Sequence, residues 1–298
     1  MVYRKILLFV MIVGLISILI PDDIISQNDH HDLGSQIIDH DNTLRLLTWN
    51  IKMFPPPYGW LHDRSDRAKN IILSIKKSIQ YDIILFQEAF SSGIRDMIYS
   101  ELKSLYPYQL EPNDPTRFYQ INSGLWAISS VPIELIKKIN FKELRETDVL
   151  ASKGAYLYLI EKDNQKFKII NTHMQADYET KYNDIRIQQY QEINDHLIVP
   201  FEQSDVPIIL CGDLNIFNQS RLSALLDKLK LKNGPLDGNV KQSIIYSATK
   251  IVDYILHHQK DDKFRSIHRK IRDMSKGIKA NRPNDLSDHY PVEAIFKW

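Results

Sequence analysis

The chain has a single cysteine, Cys211, so it forms no disulfide of its own. A hydrophobic core must hold the fold unaided, whatever the redox compartment. Net charge is nearly absent: 38 Lys and Arg against 37 Asp and Glu leave +1. Nothing global therefore advertises a nucleic-acid backbone or an anionic membrane as partner. Internal repeats and low-complexity tracts are missing, which argues against a solenoid or a disordered polymer. Long apolar runs are missing too, apart from fifteen uncharged residues from Ile6 to Ile20, behind Arg4 and Lys5 and stopped by Pro21-Asp22-Asp23. That run is short for a membrane span and matches the basic and apolar regions of a secretory signal, cleaved or kept as an anchor. It lacks an Ala-x-Ala cleavage site; Ser26, with Ile24 two before it, is the tolerable substitute. Residues 1–26 carry two bases (Arg4, Lys5) and two acids (Asp22, Asp23), so their removal leaves the net charge at +1.

What is present is an ordinary globular composition, 43% hydrophobic and 25% charged over 298 residues, ample for a large core. Residues 27–43 are polar and aperiodic and read as a linker, with His30 and His31 in a solvated tail. From residue 44 to 298 strands and helices alternate without a domain-sized break, so one domain is expected there. Leu44 to Trp49 reads as a strand ending at Asn50, followed by a loop at Pro55-Pro56-Pro57-Tyr58-Gly59-Trp60. A helix is expected from Ser65 as N-cap, with Ala68, Ile71, Ile72, Ile75 and Ile79 on its apolar side. Asp82 to Phe86 is a buried strand delivering Gln87 and Glu88, and Ile94 to Leu105 a second amphipathic helix closed by Pro107. Strands are expected over 124–130, 155–160 and 167–171, the last arriving at Thr172-His173, with Asp163-Asn164 as a hairpin turn. A polar helix over 178–198 and a strand from Pro207 to Gly212 follow, then a helix through Leu222, Leu225, Leu226 and Leu229. A strand over Ile251 to Leu256 carries Asp253, and Ser287-Asp288-His289-Tyr290-Pro291 precedes a terminal strand over Val292 to Phe296.

One pattern recurs. Apolar strands terminate at Asn50, Glu88, His173, Asp213 with Asn215, Asp253, and Asp288 with His289. Each alone has an ordinary reading: a turn residue, a helix N-terminal acid, a satisfied core histidine, an Asx-turn after Gly212. Six together point to one site at strand ends, where α/β-type sheets bind phosphates and metals. Period-two alternation predicts that Asp213 and Asn215 point the same way. Glu88 is a natural ligand for a hard cation, with Asn50 beside it. His289 has a pKa suited to a general base, and Asp253 is placed to hold its ring as a carboxylate does in hydrolytic triads.

The set Thr48-Trp49-Asn50, Gln87-Glu88, Asn171-Thr172-His173, Gly212-Asp213-Leu214-Asn215, Val252-Asp253-Tyr254 and Ser287-Asp288-His289 resembles, in order, the motifs of the endonuclease/exonuclease/phosphatase (DNase I-like) superfamily. The resemblance implies an α+β fold, a four-layer αββα sandwich of two packed mixed β-sheets flanked by helices. It also implies phosphoester hydrolysis with Mg²⁺ (or Mn²⁺/Co²⁺) held by Glu88, Asn50 and Asp288. Asp213 and Asn215 would handle the attacking water and the phosphate, and His173 the pentacoordinate phosphorane or the leaving oxygen. Asp213 and His289 both remain open as the base.

Within that superfamily the chain looks most like the neutral sphingomyelinases. Three segments carry the likeness: Asn50-Ile51-Lys52-Met53 before a Pro-rich loop; Gln87-Glu88-Ala89-Phe90 with Arg95 and Tyr106-Pro107-Tyr108; and Asp148 to Lys153-Gly154. The likeness implies that Lys153 reaches the site; its ordinary alternative is a solvated hairpin lysine. It further implies a secreted or membrane-anchored phosphodiesterase converting sphingomyelin to ceramide and phosphocholine. Its partner would be a phospholipid membrane surface, with no obligate protein partner. Tyr58, Trp60 and Trp126 are candidates for holding a quaternary ammonium headgroup on an aromatic face. The chain departs from the secreted bacterial members at residues 260–284, where an aromatic hairpin is expected and Phe264 is the lone aromatic among many Lys and Arg. That basic stretch suits anionic phosphates or is a solvated helix face or loop. It keeps a secreted Mg²⁺-dependent nuclease acting on DNA or RNA as the alternative. A binding-only pseudoenzyme would need a broken site, and all the motif residues are present.

Overall fold

Side-chain alternation along the first strand, β1 (Thr43–Asn50), already defines two sides. Leu44 and Leu46 enter one apolar cluster, and Leu47 and Trp49 enter another. In the computed structural model, which describes residues 42–56, 63–112, 115, 117–176, 181–247, 249–260, 263–276 and 286–298, this two-sidedness runs through both sheets. The described residues fall within one compact unit, Asp41–Trp298. The apolar N-terminal segment, the linker as far as Asp41, Tyr58 and Trp60 lie outside the described residues, and Thr43, expected in the linker, opens β1.

The first sheet contains β2 (Ile83–Gln87), β3 (Tyr108–Leu110), β4 (Trp126–Ser129), β10 (Leu236–Asp237), β12 (Ser266–Ile271) and β13 (Val292–Lys297) beside β1, in the order β10-β12-β13-β1-β2-β4-β3. The second contains β5 (Ile133–Asn140), β6 (Gly154–Lys162), β7 (Gln165–His173), β8 (Ile208–Asp213), β9 (Leu231–Lys232) and β11 (Asp253–His258), in the order β5-β6-β7-β8-β11-β9. Both are mixed: β1 pairs parallel with β2 and antiparallel with β13, and β7 pairs parallel with β8, which pairs antiparallel with β11. Between the sheets Leu44, Leu46, Ile83 and Leu85 meet Phe167, Ile169, Ile209 and Cys211. Outside the first sheet lie α1 (Arg64–Lys76) and α2 (Ser92–Leu102), which bury Ala68, Ile71, Ile94 and Ile98 on Trp49 and Phe86. Outside the second lie α3 (Asn183–Ile193) and α4 (Gln219–Leu229), which bury Ile193, Leu222 and Leu225 on Leu157, Ile170 and Leu210. The result is the expected four-layer αββα sandwich, an α+β fold.

The inward-facing alternation continues to the strand ends and changes chemistry on the way. On β1 it runs Leu44, Leu46, Thr48, Asn50; on β7, Phe167, Ile169, Asn171, His173; on β8, Ile209, Cys211, Asp213. An apolar layer thus gives way to amides and hydroxyls, then to ionisable groups. The middle rung is a buried network across the two sheets. Gln87 Nε2 donates to Thr48 Oγ1 at 2.9 Å and to Asn171 Oδ1 at 2.7 Å, and Asn171 Nδ2 donates to the Phe86 carbonyl at 3.1 Å. At the opposite end Lys162 Nζ reaches Asp82 Oδ1 at 3.0 Å and the Thr43 carbonyl at 2.6 Å.

Several expectations shift. Asp253 begins β11, and Asp288 and His289 precede β13, so these segments start at the site rather than end there. Antiparallel pairing (Asp253 opposite Asp213, Val292 opposite Thr48) brings those starts beside the ends of β8 and β1. The Asp163-Asn164 turn is as expected, with φ of 48° and 62° at its two residues, the left-handed pair a two-residue hairpin requires. The helix expected over 178–198 begins at Asn183 and widens into a π-turn over Asn194–Ile198. Asp63, not Ser65, stands at the N-cap of α1, which ends at Lys76 and leaves Ile79 outside it. The basic stretch is neither a helix nor a loop throughout: Ser266–Ile271 is a strand paired with β13, and Ile267 and Ile271 pack in the inter-sheet core. Arg269 in its middle is buried, its guanidinium donating to the Gly234 carbonyl at 3.0 Å.

Gly212 is required by this geometry. Its φ is +135°, and a Cβ there would lie 1.9 Å from the Thr172 carbonyl oxygen of the neighbouring strand. Gly212→Ala is expected to cost more than about 3 kcal/mol, read as a fall in the urea midpoint. A wild-type midpoint would contradict the close approach of β7 and β8.

Candidate active site

The inward-facing side chains at this end converge around Asn50. Its Nδ2 donates to Glu88 Oε1 at 3.0 Å and to Asp213 Oδ2 at 3.1 Å, so one amide ties two acids from different sheets. Glu88 adopts a left-handed backbone, φ +53°, just past β2. Arg95 of α2 fastens that loop by donating to the carbonyls of Ala89 at 2.7 Å and Phe90 at 2.9 Å. Asp213 Oδ1 accepts from the Asn215 amide at 2.9 Å, an Asx-turn. Asn215 is itself left-handed, φ +52°, and its Nδ2 donates to the Met174 carbonyl at 3.1 Å. Alternation ends with the strand here, so the turn and not the pleat sets the Asn215 side chain, which shares the Met174 carbonyl with Lys153.

Opposite Asp213, Asp253 accepts a hydrogen bond from His289 Nδ1 at 2.8 Å. The His289 backbone is fixed by Trp49 Nε1 donating to its carbonyl at 2.9 Å and by its own amide donating to Ser287 Oγ at 3.2 Å. Ser287 Oγ donates in turn to the Asn50 carbonyl at 2.7 Å. Burial alone would lower the His289 pKa, but the carboxylates of Asp253, Asp213 and Asp288 outweigh it and raise it to about 10. Burial, reinforced by the Asp253 charge, pushes the Asp213 carboxyl up. Burial and the Asp288 charge do the same to Glu88. Burial also pushes on Asp288, yet His289 and Lys52, whose Nζ is 2.6 Å from Asp288 Oδ2, hold it below the usual carboxylate range.

The third group is His173 with Lys153. Lys153 Nζ donates to His173 Nε2 at 3.0 Å and to the Met174 carbonyl at 3.1 Å, and it pairs with Asp148 Oδ2 at 2.9 Å. At 3% exposure Lys153 is no solvated hairpin lysine. Burial, with the positive charges of Lys153 and His289, holds the His173 pKa well below its ordinary value, so the ring is neutral. Its Nε2 lies 3.5 Å from Asp213 Oδ2 and 3.9 Å from Glu88 Oε1.

The donor set fits a hard divalent cation. Buried carboxylates crowd one another here, which positive charge relieves, and their oxygens are the ligands such cations prefer. Ligand atoms of Asp213, Asp253 and His289 lie within 4.8 Å of one another. Asp253 Oδ2 and His289 Nδ1 are committed to each other, however, so the Glu88 and Asp213 side is the better seat. Asn50 presents its amide nitrogen to both acids, while its oxygen accepts from the Lys52 amide at 3.2 Å. Asp288, expected beside Glu88 as a ligand, pairs with Lys52, and its charge acts on Glu88.

Trp126 is a correction: it is 0% exposed, stacks on Phe86 at 4.8 Å and donates from Nε1 to Gln109 Oε1 at 3.1 Å. It belongs to the packing beneath α1 and α2 and has no face for a headgroup. The role of Lys52 was missed, because it depends on a residue 236 positions away. Arg67 of α1 was missed as well. Its guanidinium donates to the carbonyls of Ile51, of Lys52 at 3.1 Å and of Leu286 at 3.0 Å, clamping both site loops. A buried arginine in line with the Ile71 face of α1 was the available signal.

Comparison with known proteins adds the following. The model of the Endonuclease/Exonuclease/phosphatase family matches residues 47–289. The chain is similar to Sphingomyelinase C of Leptospira interrogans, 28% identical over 283 residues, 84% of this chain and 51% of the relative. It is also similar to Sphingomyelinase C of Listeria ivanovii, 24% identical over 302 residues, 88% of this chain and 89% of the relative. The chain thus spans about half the length of the first relative and most of the second. Among solved structures, the beta toxin of Staphylococcus aureus aligns with a TM-score of 0.72 and 23% identity over 84% of this chain and 99% of that one. A double mutant of that toxin with bound magnesium ions aligns with 0.71 and 22% over 86% and 99%.

The Asp253–His289 pair generates a pH signature in metal-free protein. A histidine raised from 6.5 to about 10 on folding contributes stability that is full below pH 6.5 and is lost as pH rises toward 10. Asp253→Asn should therefore cost most stability below pH 6.5, with the gap narrowing between 6.5 and 10, measured by urea unfolding across pH. Imidazole ¹⁵N NMR should show His289 titrating lower in the variant; an unchanged titration would refute the pairing.

Proposed function

The chain belongs to the Endonuclease/Exonuclease/phosphatase family, and within it we propose a divalent-cation-dependent phosphodiesterase that hydrolyses sphingomyelin to ceramide and phosphocholine. The observation that carries this reading is the Asp253–His289 dyad standing opposite the Asn50-bridged carboxylates of Glu88 and Asp213. Such an arrangement suits in-line attack of water on a phosphodiester: one side binds positive charge and phosphate oxygen, the other moves a proton.

Glu88, oriented by Asn50, and Asp213 would hold Mg²⁺, which when bound neutralises phosphate charge and orients the phosphate. The proton of the attacking water would pass to the Asp213–His289 pair, through the Asp213 carboxylate while the imidazole carries its own proton against Asp253. Asp253 keeps the imidazole oriented and compensates its charge. Asn215, fixed by its turn against Asp213, stands beside Lys153 at the Met174 carbonyl, where it would meet the phosphate. On the other side Lys153 supplies a buried positive charge through neutral His173, where negative charge develops on the phosphorane or the leaving oxygen.

The lipid substrate is supported by the names of the relatives, two of them Sphingomyelinase C. It is also supported by the fate of the basic stretch, part of which is taken into β12 with Arg269 buried, leaving less of it to track a nucleic-acid backbone. We place the catalytic unit at residues 44–298, acting on a membrane surface after export directed by residues 1–26. With Trp126 excluded, Tyr58 and Trp60 remain the aromatic candidates for the choline headgroup.

Purified protein should release phosphocholine from sphingomyelin vesicles in Mg²⁺ and not in EDTA. Glu88→Ala and His289→Ala should each lower kcat by about a thousandfold or more with an unchanged circular dichroism spectrum. Plasmid nicking without phosphocholine release would overturn the substrate, and near-wild-type turnover in either variant would overturn the roles.

A further inference from the structure

We infer that Lys52 is a positioning residue that withholds Asp288 from the cation, so that Glu88 meets the cation as the unpaired carboxylate on that side. The inference rests on the phosphodiesterase reading in one respect: that a divalent cation sits at Glu88.

Three observations carry it. Lys52 Nζ lies 2.6 Å from Asp288 Oδ2, closer than the 2.8 Å of His289 to Asp253 and the 2.9 Å of Lys153 to Asp148. The other Asp288 oxygen faces the Ser287 hydroxyl at 3.5 Å, so both oxygens have partners of their own, while the Asp288 charge still acts on Glu88. Lys52 is also held where it is at a conformational cost. Its φ is +50°, in the left-handed region that favours glycine, and a non-glycine residue persists there only when its surroundings over-determine it. Those surroundings are present: Arg67 donates to the Lys52 carbonyl at 3.1 Å, and the Lys52 amide donates to Asn50 Oδ1 at 3.2 Å. The same Arg67 holds the Leu286 carbonyl at 3.0 Å, just before Asp288. One guanidinium thus fixes both ends of the ion pair from behind.

The consequence is electrostatic. A third free carboxylate beside Glu88 and Asp213 would bind the cation more tightly and take one of the six positions magnesium offers. With Asp288 neutralised, the cation keeps positions for water and phosphate oxygen, the arrangement magnesium favours in phosphate chemistry. The Lys52 side chain is 32% exposed, so the ion pair borders solvent.

The test is a charge cycle read by Mg²⁺ binding, using isothermal titration of EDTA-stripped full-length protein. Lys52→Met keeps the stem and deletes the charge; it should bind Mg²⁺ about tenfold tighter than wild type, because a cation leaves and a carboxylate is freed. Lys52→Arg should bind as wild type does. The double variant Lys52→Met/Asp288→Asn restores the net charge, and its affinity should return to within about threefold of wild type. Unchanged or weaker binding by Lys52→Met would overturn the inference. So would a double variant that loses a hundredfold or more, since Asp288 would then be a ligand. Should Lys52→Met not fold, the double variant, in which no charge is left unpaired, decides alone. Absence of Mg²⁺ binding by wild type would sink the phosphodiesterase reading itself, whereas wild-type binding with no gain in Lys52→Met sinks this inference only.

Discussion

Carboxylate crowding at one end of the sandwich is the constraint that the rest of the site answers to. Glu88, Asp213, Asp253 and Asp288 come from four different segments, and burial raises the cost of each negative charge. The protein supplies counter-charge in kind. His289 carries a proton against Asp253, Lys52 answers Asp288, and Lys153 stands behind His173 with its own acid, Asp148. What these do not neutralise lies between Glu88 and Asp213, held apart and oriented by one amide, Asn50. The proposed cation seat is in this sense the remainder of a charge balance, not a cluster of ligands assembled alone.

The fold delivers that crowding without strain in its sheets. Inward-facing positions of β1, β7 and β8 form an apolar layer at mid-strand, and the same alternation carries polar side chains to the strand ends. The Thr48, Gln87 and Asn171 rung separates the two regimes, satisfying amides where the core stops and charges begin. Strain is placed instead in the loops just beyond the strands. Lys52, Glu88 and Asn215 all have left-handed backbones, and each lies within two residues of a strand end. Arginines on the flanking helices hold two of these loops by their carbonyls, Arg67 for Lys52 and Arg95 for the loop after Glu88. The outer layers therefore do more than cover the sheets; their buried cations fix the loops that carry Lys52 and Glu88.

The likeness to relatives of known name and the local geometry speak to different questions. The family match over residues 47–289 and the alignment with the beta toxin of Staphylococcus aureus concern the scaffold. Which atoms face one another is a matter of this chain's own contacts. Lys52, Arg67 and the buried Trp126 show this, since the partners of each lie on other segments of the chain.

The sequence by itself determined the strands and the residues they deliver. Alternation and short apolar runs marked β1, β2, β7, β8, β11 and β13, and six motifs marked Asn50, Glu88, His173, Asp213, Asp253 and His289. Those are local properties, written in spacing and residue type. Strands without a clear pattern escaped notice: β5 alternates poorly, and β3, β9 and β10 are only two or three residues long. Tertiary structure alone decided the partners. Asp288 belongs to Lys52, 236 residues away, Arg67 reaches across 219 to Leu286, and Trp126 turns inward because the helices lie over its face of the sheet. The physical reason is range. Periodicity records which side a residue faces, whereas ion pairs and loop clamps depend on left-handed turns and on antiparallel pairing, which set distant starts and ends of strands side by side.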